Sequence, residues 1–360
     1  MRKPFRVAVW GPGVVGSAVL KEFLRLPEFE VVGVFCYLDS EDGRDVGELV
    51  GMPPIGVKAT KDRTEFLAQD IECVVYTARD FGDWAADSDL IEILSAGKNV
   101  VTSFPYNYPK VIRSREAVDK LETACREGNS TLFASGVFPG FIAEHIMMAM
   151  TTAVDNIKHI RIQEIYDGSD LNAPEMLAAY GWGSPMEQTG NTRSPVYIMT
   201  RNFYFQLLHL LADKFGIVFD RIEGIPKSEP AGEDMQAGGL LIKKGTVAAV
   251  SYAWTGYIKD KPFLTLEPHW YMGKSMRPPE ATAEECWIIT IEGTPSLKAV
   301  LSAKGSFEFN RRRNPGDNTD PGYYMTAVPM VRSIPSVIAA KPGIKIVDVD
   351  DQHWKPDLRT

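Results

Sequence analysis

Residues Val7–Leu20 read VAVWGPGVVGSAVL: a short apolar run meets Gly11, Pro12, Gly13 and Gly16, then passes into a helical pattern. The spacing fits GxGxxG, which is weak alone; the strand before it, the helix after it and its place near the N-terminus give it weight. Gly11 permits a tight turn, Gly13 lets a pyrophosphate approach the backbone, and Gly16 lets helix and strand pack closely, with the helix N-terminus facing the anion. Pro12, Val14 and Val15 complete the loop. A glycine-rich corner that holds no ligand is the other reading of these residues.

Outward from this loop, short apolar runs alternate with helical stretches. Strands are predicted at Arg6–Trp10, Glu30–Tyr37, Cys73–Thr77, Asn99–Thr102 and Thr131–Ala134, with helical patterns such as GSAVLKEFLRL, SDLIEILSAG and SREAVDKLETACREG between them. This βαβ rhythm implies a doubly wound parallel sheet with helices on both faces. In SAGKNVVT, Gly97 marks a helix stop before a buried strand. After Gly136 the rhythm changes. FIAEHIMMAMTTAV reads as a helix, IKHIRIQEIYDG alternates with period two as a strand, and YIMTRNFYFQLLHLLADKFG reads as a helix closed by Gly216. GLLIKKGTVAAVSYAWTGYI, with a turn near Lys244 and Gly245, then FLTLEPHWYM, CWIITIEG and LKAVLSAKG, suggest a mostly antiparallel sheet. The expected architecture is α/β: a dinucleotide-binding domain over 1–138, an α+β domain over 139–325, and a tail over 326–360 packing back on the first domain. That tail reads as a helix interrupted or bent near Pro329 and Pro335.

The chain has 360 residues, 44% hydrophobic and 24% charged, as expected of a soluble globular protein of about two domains. A net charge of −8 argues against a nucleic-acid partner, which needs a basic face. Arg311–Arg313 precede a turn-rich stretch and read as a solvated loop, with anion binding as the alternative. The opening MRKPFRVAVW reads as a first strand rather than a signal peptide, and no apolar run of about eighteen residues exists to span a membrane. Cys36, Cys73, Cys125 and Cys286 are far apart and form no CxxC pair, which fits reduced thiols and a cytoplasmic location. The five histidines show no metal-ligand spacing, so no metal is expected.

Other candidates come from position. An acid about 20 residues beyond the loop would bond a ribose 2′-hydroxyl and favour NAD. Asp39 is that candidate, with Ser40 beside it; Arg44 would instead meet the 2′-phosphate of NADP, and a solvated turn is the remaining reading of Asp39. Thr77, Ala78, Arg79, Thr102 and Ser103 follow parallel strands at the edge where ligands of such sheets collect, and are further candidate cofactor contacts. Next comes TSFPYNYP, whose Tyr106 and Tyr108 offer hydroxyls for a proton or an oxyanion, with Phe104 and Asn107 as pocket walls. On the strand IKHIRIQEIYDG, Glu164 shares an otherwise apolar face with Ile160, Ile162 and Tyr166, where burial would raise its pKa or demand a partner. It supplies an acid or pairs at the sheet's rim. Phe141, His145, Tyr166 and Trp182 join the candidate substrate pocket, with ordinary packing as the alternative.

The motifs VAVWGPGVVGSAVL, VGVFCYLDSEDGRDVGELVG, SAGKNVVTSFPYNYP, FASGVFPGFIAEHI and TAVPMVRSIPSVIAAKPGI together resemble the dihydrodipicolinate-reductase-like family that includes 2,4-diaminopentanoate dehydrogenase and the native amine dehydrogenases. The resemblance covers nearly the whole chain. It implies a Rossmann domain, an α+β domain that shapes the substrate pocket and a homodimer interface, and NAD(P)H-dependent reduction of C=N or C=O bonds of a small molecule. It also adds Phe138, from the PGF motif, and Ser333, before the final IP, to the cofactor contacts. This sequence departs from the family at three places. Phe104 and Pro105 stand where the amine dehydrogenases carry a glutamate that handles the amine and its protons, and no carboxylate lies between Thr102 and Pro109. The asparagine before PGF is absent, and Ser333 replaces another. The expectation is therefore an NAD(P)-dependent oxidoreductase acting on a fairly apolar carbonyl or imine. A ketone or enone reductase without amine chemistry, and a nucleotide-binding sensor without catalysis, are the alternatives.

Overall fold

The computed structural model describes residues 3–78, 84–171, 173–309, 311 and 313–348. Contacts divide the chain into two units, Met1–Phe141 with Lys304–Asp348, and Ile142–Ala303. These divisions lie a few residues from the expected 138/139 and well before the expected 325/326. The second shift has a physical cause: the loop ahead of the last helix is tied to the first helix through Asp317, which accepts from Lys21 Nζ at 2.6 Å.

In the first unit, β1 (Phe5–Trp10), β2 (Phe29–Phe35), β3 (Ala59–Thr60), β4 (Cys73–Tyr76), β5 (Asn99–Thr102) and β6 (Thr131–Ala134) join a C-terminal strand, Gly343–Lys345. Their spatial order is C-terminal strand–β6–β5–β4–β1–β2–β3, parallel throughout. This is the doubly wound order, in which the chain reverses direction beside β1. The strands are continuous apolar runs because helices cover both faces; Val7, Val9, Val74, Val100 and Leu132 are all fully buried. Helix α1 (Val14–Arg25) follows the glycine loop; α2 (Ala86–Ser95) ends before Gly97, whose φ of +79° makes the expected stop; α3 (Arg115–Glu127) starts at Ser114, whose hydroxyl accepts from Ala117 N–H at 3.2 Å.

In the second unit β7 (Asp155–Asp167) lies inside a six-stranded sheet with β8 (Arg221–Pro230), β11 (Val247–Ile258), β12 (Lys261–Tyr271), β13 (Glu285–Thr294) and β14 (Leu297–Ser302). The order is β14–β13–β7–β12–β11–β8, antiparallel except for the β7–β12 pair. Among the described residues the short strands β9 (Met235–Ala237) and β10 (Leu240–Ile242) pair only with each other, so the turn at Gly245 leads from one sheet to another rather than closing a hairpin. One face of the large sheet carries α4 (Pro195–Phe215), which begins at Ser194 with Pro195 in its first turn and ends at Gly216 in the left-handed region, φ +68°. The Gly216 stop is the expected one, and the start at Ser194–Pro195 lies just ahead of the expected Tyr197.

Of the interruption or bend expected near Pro329 and Pro335, the interruption does not occur: helix α5 (Pro321–Ile338) is continuous through both. Each interior proline removes a backbone donor at about 3 kcal/mol. Burial of Ala327, Met330, Val331, Ile334 and Val337 against α1, β4, β5 and β6 offsets that cost. All four cysteines are buried and none is in a disulfide. No described helix is long and apolar enough to cross a membrane.

Candidate functional site

The glycine loop has the geometry its sequence requires. Gly11 adopts φ +90°, and a Cβ there would stand 2.8 Å from Ala78 N. A Cβ on Gly16 would meet Gly11 O at 2.3 Å and Thr77 Oγ1 at 2.7 Å, so nothing larger fits where helix meets strand. Gly13 is different: a Cβ there would meet nothing within 4 Å. Open space thus lies at the one glycine expected to admit a phosphate, and the two tight glycines hold the turn. Val14 beside it is 52% exposed, and among the described residues no side chain caps α1, which leaves its N-terminal amides to a ligand or solvent. Thr77 locks the loop from β4, its hydroxyl donating to Gly11 O at 2.7 Å. Gly11, Pro12, Gly13, Val14, Val15 and Gly16 are the residues that would surround a dinucleotide pyrophosphate at this loop.

The next candidates stand at the same sheet edge. Asp39 and Ser40 are exposed in the turn after β2, and Asp39 pairs with Lys61, at the end of β3. Ala78 backs Gly11. Arg79 lies outside the described residues. Thr102 is fully buried; its hydroxyl donates to Tyr76 O at 3.0 Å and accepts from Phe104 N–H at 3.2 Å, so it shapes the turn out of β5 and leaves Ser103 half-buried beyond it. Ser333 donates to Met330 O at 2.7 Å on α5, and Phe138 is buried next to Gly140, whose φ of +132° turns the chain.

The loop after β5 separates its two tyrosines. Tyr106 is fully buried, and its hydroxyl donates to Asp87 Oδ1 at 2.7 Å. Asp87 also pairs with Arg113, whose guanidinium lies 3.9 Å from the Trp84 ring centre. Tyr106 therefore fastens the loop to the start of α2. Tyr108 is 5% exposed, with Lys110 Nζ 4.2 Å from its ring centre. Asn107 is buried and Phe104 half-buried, its ring edge-on to Tyr76. A second polar cluster, without a signal in the sequence, sits beside the glycine loop: Asp89 accepts from Tyr76 at 2.9 Å, Tyr37 at 3.2 Å and Arg63 at 2.7 Å, and Trp10 Nε1 donates to Tyr37. It braces the ends of β1, β2 and β4.

In the second unit Glu164 is 8% exposed and meets three donors. Its Oε2 accepts from Tyr204 Oη at 3.2 Å and Trp270 Nε1 at 3.0 Å, and its Oε1 from Trp287 Nε1 at 3.2 Å. Tyr204 comes from α4, Trp270 from β12 and Trp287 from β13, the strands on either side of β7. A carboxylate has about four lone-pair positions; among the described residues one, on Oε1, stays open. Burial pushes the Glu164 carboxyl up to about 7, against the three hydrogen bonds, which favour the charged form. Burial and the adjacent Glu164 raise the Tyr204 hydroxyl well above its usual range, so it stays a donor. Trp182, 5% exposed, stacks on Trp270 with ring centres 6.5 Å apart. Tyr166 is half-buried in the same strand, Phe141 is half-buried in the first unit, and His145 is exposed. The three donors to Glu164 are far from it in sequence: Tyr204 lies in RNFYF, Trp270 in PHWYM and Trp287 in CWIIT.

A parallel sheet in this order, with its glycine loop before α1 and an α+β unit following, is the build of two-domain dinucleotide-dependent dehydrogenases. The 2,4-diaminopentanoate dehydrogenase C-terminal domain family matches residues 141–351, more than half of the chain, and the chain belongs to that family. It is 27% identical over 348 residues to an amine dehydrogenase of Streptomyces virginiae, covering 93% of each chain. It is 20% identical to a 2,4-diaminopentanoate dehydrogenase of Acetoanaerobium sticklandii, covering 94% of this chain and 91% of that one. Among solved structures, an amine dehydrogenase from Mycobacterium smegmatis shares its fold with a TM-score of 0.76, at 23% identity over 98% of each chain.

Proposed function

We propose that the protein is an NAD(P)-dependent oxidoreductase acting on a C=N or C=O bond of a fairly apolar small molecule, in the manner of an amine dehydrogenase or imine reductase. The observation that carries this reading is the contrast within the glycine loop: two glycines with no room for a Cβ and, between them, one facing open space. The kinship with enzymes named amine dehydrogenase and 2,4-diaminopentanoate dehydrogenase supports the substrate class. A nicotinamide dinucleotide, when bound, supplies or takes the hydride. The glycine loop and α1 N-terminus hold its pyrophosphate; Asp39 and Ser40 stand at its ribose, which favours NAD.

The protein must also manage one proton and exclude water. Glu164, with its pKa near 7 and one open lone pair, holds a proton at neutral pH or receives an ammonium donor. Its tryptophan neighbours suit an apolar substrate. Tyr108 is a candidate hydroxyl of the loop after β5; that of Tyr106 donates to Asp87.

A second reading, a ketone or enone reductase without amine chemistry, draws on the lack of any carboxylate between Thr102 and Pro109. One experiment separates the two. The protein is incubated with NADH or NADPH and a panel of apolar ketones, with and without ammonium, and the reduced cofactor is followed by absorbance. Ammonium-dependent oxidation of the cofactor is expected. Equal turnover without ammonium would select the carbonyl or alkene reductase.

A further inference from the structure

The acid expected at the ribose already has a cation on it. Asp39 accepts from Lys61 Nζ. The backbone fixes where that cation emerges. Phe35 in β2 stands level with Thr60 in β3, and Cys36 N–H donates to Thr60 O at 3.0 Å, so Lys61 leaves β3 beside Cys36, three positions before Asp39. Asp42 Oδ1 accepts from Lys61 N–H at 3.0 Å and anchors the turn. The connection from β2 to β3 folds back along β3, with Gly43 N–H donating to Ala59 O and Ala59 N–H to Arg44 O, both at 2.9 Å. An acid and a base therefore share the C-terminal edge of β2, where a doubly wound sheet reads the adenosine ribose.

The two side chains suit opposite ligands. A carboxylate accepts from a 2′-hydroxyl and repels a 2′-phosphate; an ammonium pairs with the phosphate. Neither is committed. The Asp39 side chain is 95% exposed and that of Lys61 39% exposed, and opening so exposed a pair costs less than about tenfold in affinity. Arg44, the sequence's own candidate for the phosphate, is exposed in the same connection.

We propose that Asp39 and Lys61 form a two-way reader of the ribose: Asp39 takes the 2′-hydroxyl of NAD, Lys61 turns to the 2′-phosphate of NADP, and the protein accepts both dinucleotides. This rests on the dinucleotide reading of the glycine loop. The test is direct binding of NADH and of NADPH to the full chain, by calorimetry, for the natural sequence and for Lys61→Ala, Asp39→Asn and Arg44→Ala. All three positions are exposed, and unchanged melting temperatures confirm folding. The natural protein binds both dinucleotides with Kd values within about tenfold of each other. Lys61→Ala weakens NADPH by about tenfold or more and leaves NADH within about twofold, because only the phosphate loses its cation. Asp39→Asn weakens NADH and spares NADPH. If both dinucleotides bind but Lys61→Ala shifts them equally, or Arg44→Ala alone is selective for NADPH, the two-way reader is overturned while the dehydrogenase reading stands. If neither dinucleotide binds the natural protein, both fail.

Discussion

Replacing Glu164 with glutamine removes a charge without removing a side chain, and the hydrogen bonds around it set the cost. Glutamine has one acceptor oxygen. Placed at Oε2 it keeps Tyr204 and Trp270, but its amide then faces Trp287 Nε1, 3.2 Å from the other carboxyl oxygen. Two donors in opposition leave a buried indole N–H unsatisfied, at about 1–3 kcal/mol. A second effect runs the other way. The folded carboxyl titrates at about 7 against an ordinary 4.5, so the folded state binds more protons than the unfolded chain between those values. Stability of the natural protein therefore falls as pH rises through that window, by about 3 kcal/mol once pH exceeds 7. Glutamine does not titrate. Glu164→Gln is thus the less stable protein at pH 5, and the gap closes or reverses by pH 8. Thermal melting at pH 5, 6, 7 and 8 reads this directly, since 1 kcal/mol moves the midpoint by about 2–4 °C in a unit of this size. Parallel pH profiles for the two proteins would overturn this expectation, because they would mean that Glu164 is ionised throughout and its burial carries no penalty.

Gly16→Ala puts a methyl group 2.3 Å from Gly11 O and should lower stability by about 1–3 kcal/mol, measured by urea unfolding; an unchanged midpoint would mean that the loop is not packed as described. Burial raises the Asp317 carboxyl, but donors from Lys21, Tyr324 and Thr319 outweigh it and hold the group well below the usual range. Its contribution is present at neutral pH and lost as pH falls into the acid, so Asp317→Asn should cost about 1.5–3 kcal/mol at pH 7 and progressively less below pH 4, read from melting temperatures. Tyr106→Phe removes a buried bond to a carboxylate and should lower the melting temperature while leaving kcat within about twofold, whereas Tyr108→Phe should lower kcat if its hydroxyl manages the proton.

Much of the fold was legible because its signals are local. β1, β4, β5 and β6 are apolar runs buried on both faces, and Gly97 and Gly216 end their helices in the left-handed region that glycine favours. β3 and the C-terminal strand were missed because two or three residues carry no periodicity. The prolines of α5 do not interrupt it, because tertiary packing outweighs two lost backbone donors. The glycine loop was legible as a turn: Gly11 and Gly16 leave no room for a Cβ, and Gly13 does. The environment of Glu164 was legible only as an acid on an apolar face. Its donors lie 40, 106 and 123 residues away, and strand register, which no local pattern encodes, brings them together. Lys61 was invisible for the same reason: it reaches Asp39 only because β3 pairs beside β2.

Whether the loop Gly11–Gly16 holds a dinucleotide decides all of the chemistry, and Gly13 is the place to ask. Its backbone angles, φ −64° and ψ −160°, suit any residue, and its Cβ position is open, so Gly13→Val leaves the fold intact while filling the space required by a pyrophosphate. Calorimetric titration with NADH and NADPH should show binding to the natural protein and a loss of about tenfold or more in the variant, at equal melting temperature. No binding to the natural protein, or undiminished binding to the variant, would contradict a dinucleotide at this loop.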